Sequence, residues 1–107
     1  MKYFTTGRKS GDYHEFVRGS WDGKTFWSGD YIFLDDDTLN EYLAALFYAV
    51  SPAYYPYGPS EITRAEWEEI SRRAEELGGE AQAIIQELSP WAEDNFKTES
   101  IFTILGI

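Results

Sequence analysis

The rhythm of polar and apolar positions changes once along the chain, near residue 35. Before that point short apolar runs alternate with clusters of glycine and polar residues, which predicts a β-meander. Residues 2–6 form a short strand candidate, residues 7–12 a polar turn, and residues 13–18 a second strand. Asp22-Gly23, between Trp21 and Lys24, fits a two-residue type I′ turn, where both central residues need a positive φ. That turn would set Ser20 opposite Thr25, Arg18 opposite Trp27 as a cation–π pair, and His14 opposite Tyr31. It would also oppose Glu15 and Asp30, two like charges, so a bulge is expected within Ser28-Gly29-Asp30. Residues 31–34 are an unbroken apolar run that suits a buried third strand.

After residue 35 the period is helical. Asp35-Asp36-Asp37-Thr38 opens a helix, with a capping box expected between Thr38 and Glu41 and the acids on the positive end of the helix. Leu39, Tyr42, Leu43, Leu46, Phe47 and Val50 form its core stripe, and Tyr48, on the same helix, is assigned to the core. A second helix starts at Thr63, capped with Glu66, buries Trp67, Ile70, Ala74 and Leu77, and stops at Gly78-Gly79. Its outer face offers Glu68–Arg72 and Glu69–Arg73 pairs. A third helix runs from about residue 80 to 88, and Ser89-Pro90 reads as a cap that restarts a short helix through Trp91. Residues 100–107 are β-branched and apolar, a last strand or a helical turn. The expected fold is one α+β domain, an antiparallel sheet of three to four strands packed against about three helices.

Between the first two helices lies the least ordinary stretch. Residues 48–61 hold four of the eight tyrosines and three of the four prolines. Tyrosine provides large rigid contact area at low entropic cost, and prolines at 52, 56 and 59 stiffen the backbone in advance of binding. The competing reading is that the rings seal the helix junction. The first favours Tyr54, Tyr55 and Tyr57 as contact residues.

Charge sharpens this picture. The chain carries 9 basic and 19 acidic residues, a net of −10. Residues 1–34 hold five basic and four acidic side chains, a net of +1, while residues 35–107 hold four and fifteen, a net of −11. Such a field repels nucleic acid and anionic membrane and steers a basic protein toward the C-terminal two-thirds; it also serves solubility. There is no cysteine, no apolar leader and no apolar run near membrane-spanning length, which together point to a cytoplasmic protein.

Catalytic signatures are missing. His14 is the only histidine and has no nucleophile motif beside it. Asp35, Asp36 and Asp37 lack the spacing and glycine of a calcium loop, so they are read as helix-end charges and a docking patch for lysine or arginine, joined by Glu61. No pair of acids stands out for glycoside hydrolysis, no glycine-rich phosphate cradle exists, and no cofactor or metal is expected. Trp21 and Trp27 are candidates for stacking on a sugar, against the more ordinary role of core packing.

The Tyr54-Tyr55-Pro56 triplet, followed by a helix holding Trp67, resembles the immunity proteins that neutralise colicin-type nucleases. In that family such tyrosines and nearby acids grip the toxin. The family is an all-helical bundle, from which the β-pattern of the first third departs; a broader resemblance is to α+β immunity proteins of bacterial toxin systems, which are short, acidic and cysteine-free. The resemblance implies a cytoplasmic inhibitor of a basic toxin or nuclease, with a structural or regulatory homodimer as the alternative.

Overall fold

A computed structural model describes residues 2–6, 11–24 and 31–106. The fold is α+β, a four-stranded antiparallel sheet with three helices. In chain order the strands are β1 (Tyr13–Arg18), β2 (Ile32–Asp35), β3 (Pro59–Thr63) and β4 (Ile101–Leu105). The helices are α1 (residues 36–50), α2 (Arg64–Leu77) and α3 (Gly79–Asn95). Strand order is β2-β1-β4-β3, so the strand that comes last in the chain is an inner one, antiparallel to both neighbours.

Alternation along each strand divides the sheet into two faces. Phe16, Ile32, Leu34, Ile62, Phe102 and Ile104 point toward the helices and form one core with Leu39, Leu43, Phe47, Trp67, Ile70, Ile84 and Leu88. Val17, Tyr31, Phe33 and Leu105 lie on the opposite face in a smaller cluster, with Tyr13 and Trp21 packed against it. Phe102 is the hub of the main core. Its ring lies 5.5 Å from Trp91, 5.8 Å from Phe96, 6.0 Å from Trp67 and 6.2 Å from Phe16, which ties the sheet to α2 and α3.

Several local expectations change. Residues 2–6 make no full strand; Thr5 and Phe33 form a single bridge, with bonds of 2.9 and 2.8 Å, on the edge of β2. The segment is held instead by Glu87 of α3, whose carboxylate accepts the N–H groups of Lys2, Tyr3 and Phe4 at 2.6, 2.9 and 2.7 Å and so seats Phe4 in the core. In β1–β2, His14 pairs with Leu34 and Glu15 with Phe33, three residues away from the expected register, which removes the Glu15–Asp30 conflict. Thr25, Trp27 and the expected bulge at 28–30 lie outside the described residues. Arg18 stacks over Trp91 at 5.4 Å and pairs with Asp94 at 2.7 Å.

The helices also differ in detail. Helix α1 is capped by Asp35, whose side chain accepts from the Thr38 N–H and hydroxyl at 3.0 and 2.7 Å, in place of a Thr38–Glu41 box. It is α-helical at Asp36–Thr38, turns through a π-helical Leu39–Leu43, and is α-helical again over Ala44–Val50. Tyr48 sits off the apolar stripe, one residue past Phe47, and is 51% exposed. The Thr63–Glu66 capping box forms, at 2.9 and 3.1 Å. Leu77, at the last turn of α2, is 66% exposed and belongs to no core. Pro90 does not restart a helix but lies inside α3, on its solvent side, where the bond its ring forgoes to the carbonyl of Gln86 falls among exposed residues.

Two outcomes follow from this packing. Phe102→Ala should cost about 3–5 kcal/mol in urea unfolding, a large part of a small domain's stability. For Glu87, burial works to raise the carboxyl, but the Phe4, Tyr3 and Lys2 N–H donors outweigh it and hold the group below its ordinary value of 4.5. A lowered folded-state value means a contribution that is complete above the ordinary value and is lost as pH falls through the folded one. Thermal melts of Glu87→Gln should therefore show a loss of about 1–3 kcal/mol at neutral pH and a shallower decline than wild type on acidification below about 4.5.

Candidate interaction site

The tyrosine segment is shaped by backbone bonds rather than by proline alone. Ser51 N–H closes α1 on the Phe47 carbonyl at 2.8 Å, and Tyr54 N–H turns back to the Ser51 carbonyl at 3.0 Å. The buried Ser60 hydroxyl accepts from Tyr55 N–H at 2.8 Å and donates to the Tyr55 carbonyl at 3.0 Å, pinning the loop to β3. Gly106 N–H bonds the Gly58 carbonyl at 3.0 Å and extends the β3–β4 ladder by one pair. That approach is too close for a side chain, since a Cβ on Gly106 would lie 2.2 Å from the Pro56 carbonyl oxygen.

The loop separates its tyrosines. Tyr54 is 4% exposed, with its ring 5.4 Å from Phe47 and 5.1 Å from Tyr48. Tyr54 is expected to be a contact residue, but the turn at Ser51 sends its ring inward to close the end of the α1 core. Its hydroxyl is buried without a partner, and burial first, then the nearby Tyr48 and Asp36, pushes the phenol up to about 12. Tyr55 and Tyr57 are 57% and 70% exposed and meet edge to face at 5.6 Å.

The acidic run is divided as well. Asp35 caps α1. Asp36 Oδ1 lies 2.8 Å from Nε2 of His14, which is 1% exposed, and the Asp36 N–H donates to the Asp12 carbonyl at 2.9 Å. Asp37 is exposed. With Asp12, Tyr13 and Gly11 the three line a hollow of about 220 Å³. Among the described residues no three His, Asp or Glu side chains converge in a way that would hold a metal ion.

Register places these pieces at one end of the sheet. Tyr13 pairs with Asp35, Glu15 with Leu105, and Leu105 with Pro59, so the acids at the β2 edge and the tyrosine loop at the β3 edge share that end. Three strand spacings separate them, roughly 14 Å. Glu61 is elsewhere. It stands on the outer face of β3 and faces a groove of about 500 Å³ lined by Trp21, Pro59, Thr63, Glu66, Ile101 and Thr103, among others. The sequence pattern places residues 48–61 in a loop and Thr63 at a helix start, so it does not reveal this groove; the β-branched Ile62-Thr63 pair is the strand signal that the prolines obscure.

Among the described residues the arginines of α2 pair along their own helix. Arg72 pairs with Glu69 at 2.7 Å and with Glu76, and Arg73 pairs with Glu69 at 2.9 Å. Glu68 is met by Arg64 at 3.9 Å instead of by Arg72. Arg72 and then Arg73 hold the Glu69 carboxyl down to about 2. No helix among the described residues is long and apolar enough to cross a membrane. Comparison with protein-family models, with curated proteins and with solved structures gives no match.

Tyr54 offers a direct check on this division. Tyr54→Phe should keep or raise stability by about 1 kcal/mol, since it removes a buried hydroxyl without a partner, whereas Tyr54→Ala should lose about 3–5 kcal/mol. In an alkaline absorbance titration the Tyr54 phenol should ionise near 12, and folding stability should fall as pH rises above the ordinary 10.0, where the unfolded chain ionises first.

Proposed function

We propose that the chain is a small acidic protein-binding module, an inhibitor of the immunity type that neutralises a basic toxin or nuclease and acts by binding rather than catalysis. The observation that carries this reading is the exposed Tyr55–Tyr57 pair on a backbone fixed by Ser60 and Gly106. Exposed rings held in advance lose little entropy on binding, which is what a contact hot spot requires. Asp37 and the partly exposed Asp35 and Asp36 at the same sheet end supply a field that draws a basic surface toward the rings.

A second reading, self-association, is favoured by one feature. Leu77 with Tyr42, Ala45, Leu46 and Ala49 lines a shallow, mostly apolar hollow of about 420 Å³ between α1 and α2, to which Arg73 and Glu76 also contribute. The net charge of −10 opposes bringing two copies together. Sedimentation equilibrium separates the readings: a monomer that still binds a basic protein supports the inhibitor, and a stable dimer supports the adaptor.

The inhibitor reading is tested by co-expression with basic proteins encoded beside this chain that arrest growth when expressed alone. Wild type should restore growth. The double variant Tyr55→Ala/Tyr57→Ala should lose protection and weaken the purified complex by several kcal/mol, at an unchanged melting temperature. Equal protection by the double variant would remove the tyrosines from the interface, and failure of wild type to bind or protect against any such neighbour would overturn the reading.

A further inference from the structure

We propose that the groove on the outer face of the sheet is a receptor for one arginine or lysine side chain, presented by an extended basic segment of the partner. This rests on the reading of the partner as basic, and it assigns a second contact point away from the tyrosines.

The walls of the groove are set by the fold. Along its floor Glu61 pairs with Thr103 and Thr63 with Ile101, so their side chains stand next to one another on the outer face, with Pro59 beyond them. Trp21 forms the opposite wall. Its approach is fixed two residues earlier, at Gly19, whose N–H bonds the buried Asn95 side chain at 3.0 Å and whose carbonyl accepts from the Thr103 hydroxyl at 2.7 Å. Gly19 has a φ of +62°, and a Cβ there would lie 2.2 Å from a Glu99 carboxylate oxygen, so the turn admits no side chain without displacement. On the β3 side, the Ser60–Tyr55 bonds and the Thr63–Glu66 capping box hold the strand at both ends.

The chemistry of the lining selects a long cation. Trp21, Pro59 and Ile101 offer apolar surface for a methylene stem. Glu61 is exposed and makes no hydrogen bond or ion pair among the described residues, while Glu66 commits Oε1 to the Thr63 N–H and leaves its second oxygen for another donor. Arg64, the cation adjacent in sequence, is turned away, with its guanidinium on the Phe96 carbonyl at 3.0 Å and over the Phe96 ring at 5.2 Å. Two carboxylates on an apolar groove, with no cation between them among the described residues, are complementary to an ammonium or guanidinium head on an aliphatic stem.

The edge of β3 explains why the segment should be extended. The bond between Gly106 N–H and the Gly58 carbonyl sets the alternation of the antiparallel ladder, so Ser60 and Ile62 face β4 and the N–H and carbonyl of Glu61 face outward. Pro59 has no donor and the Thr63 N–H is taken by Glu66, so among the described residues the outward edge of β3 keeps one free donor, at Glu61. A short strand laid on this edge places alternate side chains over the groove, while the blocked flanks prevent longer pairing.

The test uses the whole chain and the synthetic peptide acetyl-Val-Arg-Val-amide, with its citrulline counterpart as the uncharged control, followed by amide and indole NMR shifts. The arginine peptide should give saturable shifts at Glu61, Thr63, Ile101, Thr103 and the Trp21 indole, weakening with added salt, and the citrulline peptide should give none. Glu61→Gln/Glu66→Gln should bind about ten-fold more weakly with an unchanged melting temperature, because glutamine still accepts the Thr63 N–H. Tyr55→Ala/Tyr57→Ala should bind the peptide as wild type does. Absence of saturable shifts, equal binding of the citrulline peptide, or shifts centred on residues 35–37 would overturn the proposal. Peptide binding by a chain that protects against no toxin would leave the groove standing and remove the inhibitor reading alone.

Discussion

Closure of the sheet by β4 is the constraint on which the other features depend. Because this strand lies between β1 and β3, the two halves of the sheet are joined only after residues 101–105 enter. The hydrophobic gain concentrates there too, since Phe102 is shared by Phe16, Trp67, Trp91 and Phe96. Pairings so distant in sequence carry a large loop-closure cost, and a dense aromatic centre is the interaction that offsets it.

Two exposed surfaces form where this closure forces backbones together. At one end of β4, Gly106 lies against Pro56 and Tyr57 and holds the tyrosine loop outward. On its outer face, Thr103 reaches Gly19 and sets the wall of the groove. Asn95 performs the same joining from within α3, bonding Gly19 N–H and the Ile101 carbonyl at 3.0 Å each. Two surfaces of different chemistry, aromatic at the sheet end and carboxylate-lined on the sheet face, are thus both positioned by the same strand.

Charge is distributed to match. The arginines of α2 are absorbed by Glu68, Glu69 and Glu76 along the helix, where pairs three and four residues apart meet in any helix. Among the described residues Asp37 at the sheet end and Glu61 on its face have no ion pair, and neither do Glu41, Glu75 and Glu93 on the helices. Negative charge therefore stands beside the exposed rings and the apolar groove as well as along the helices.

Local physics was legible in the sequence. The α+β class, the span Tyr13–Arg18, the capping box at Thr63–Glu66, the stop at Gly78 and the apolar stripe of α1 all follow from interactions within a few residues, which period and capping chemistry report. The same stripe excludes Tyr48, so its exposure is readable from the helical period. Only the tertiary structure decided that Tyr54 turns into the core while Tyr55 and Tyr57 stay out, that Pro59–Thr63 is a strand, and that the β1–β2 register lies three residues from the one a tight turn would impose. The strand at Pro59–Thr63 rests on a partner far along the chain, β4, and Gly106 beside Pro56 and Tyr57 holds the loop that carries the exposed rings, whereas Tyr54 turns onto Phe47, seven residues back. Composition marked out the tyrosines, but packing in three dimensions chose which of them face solvent.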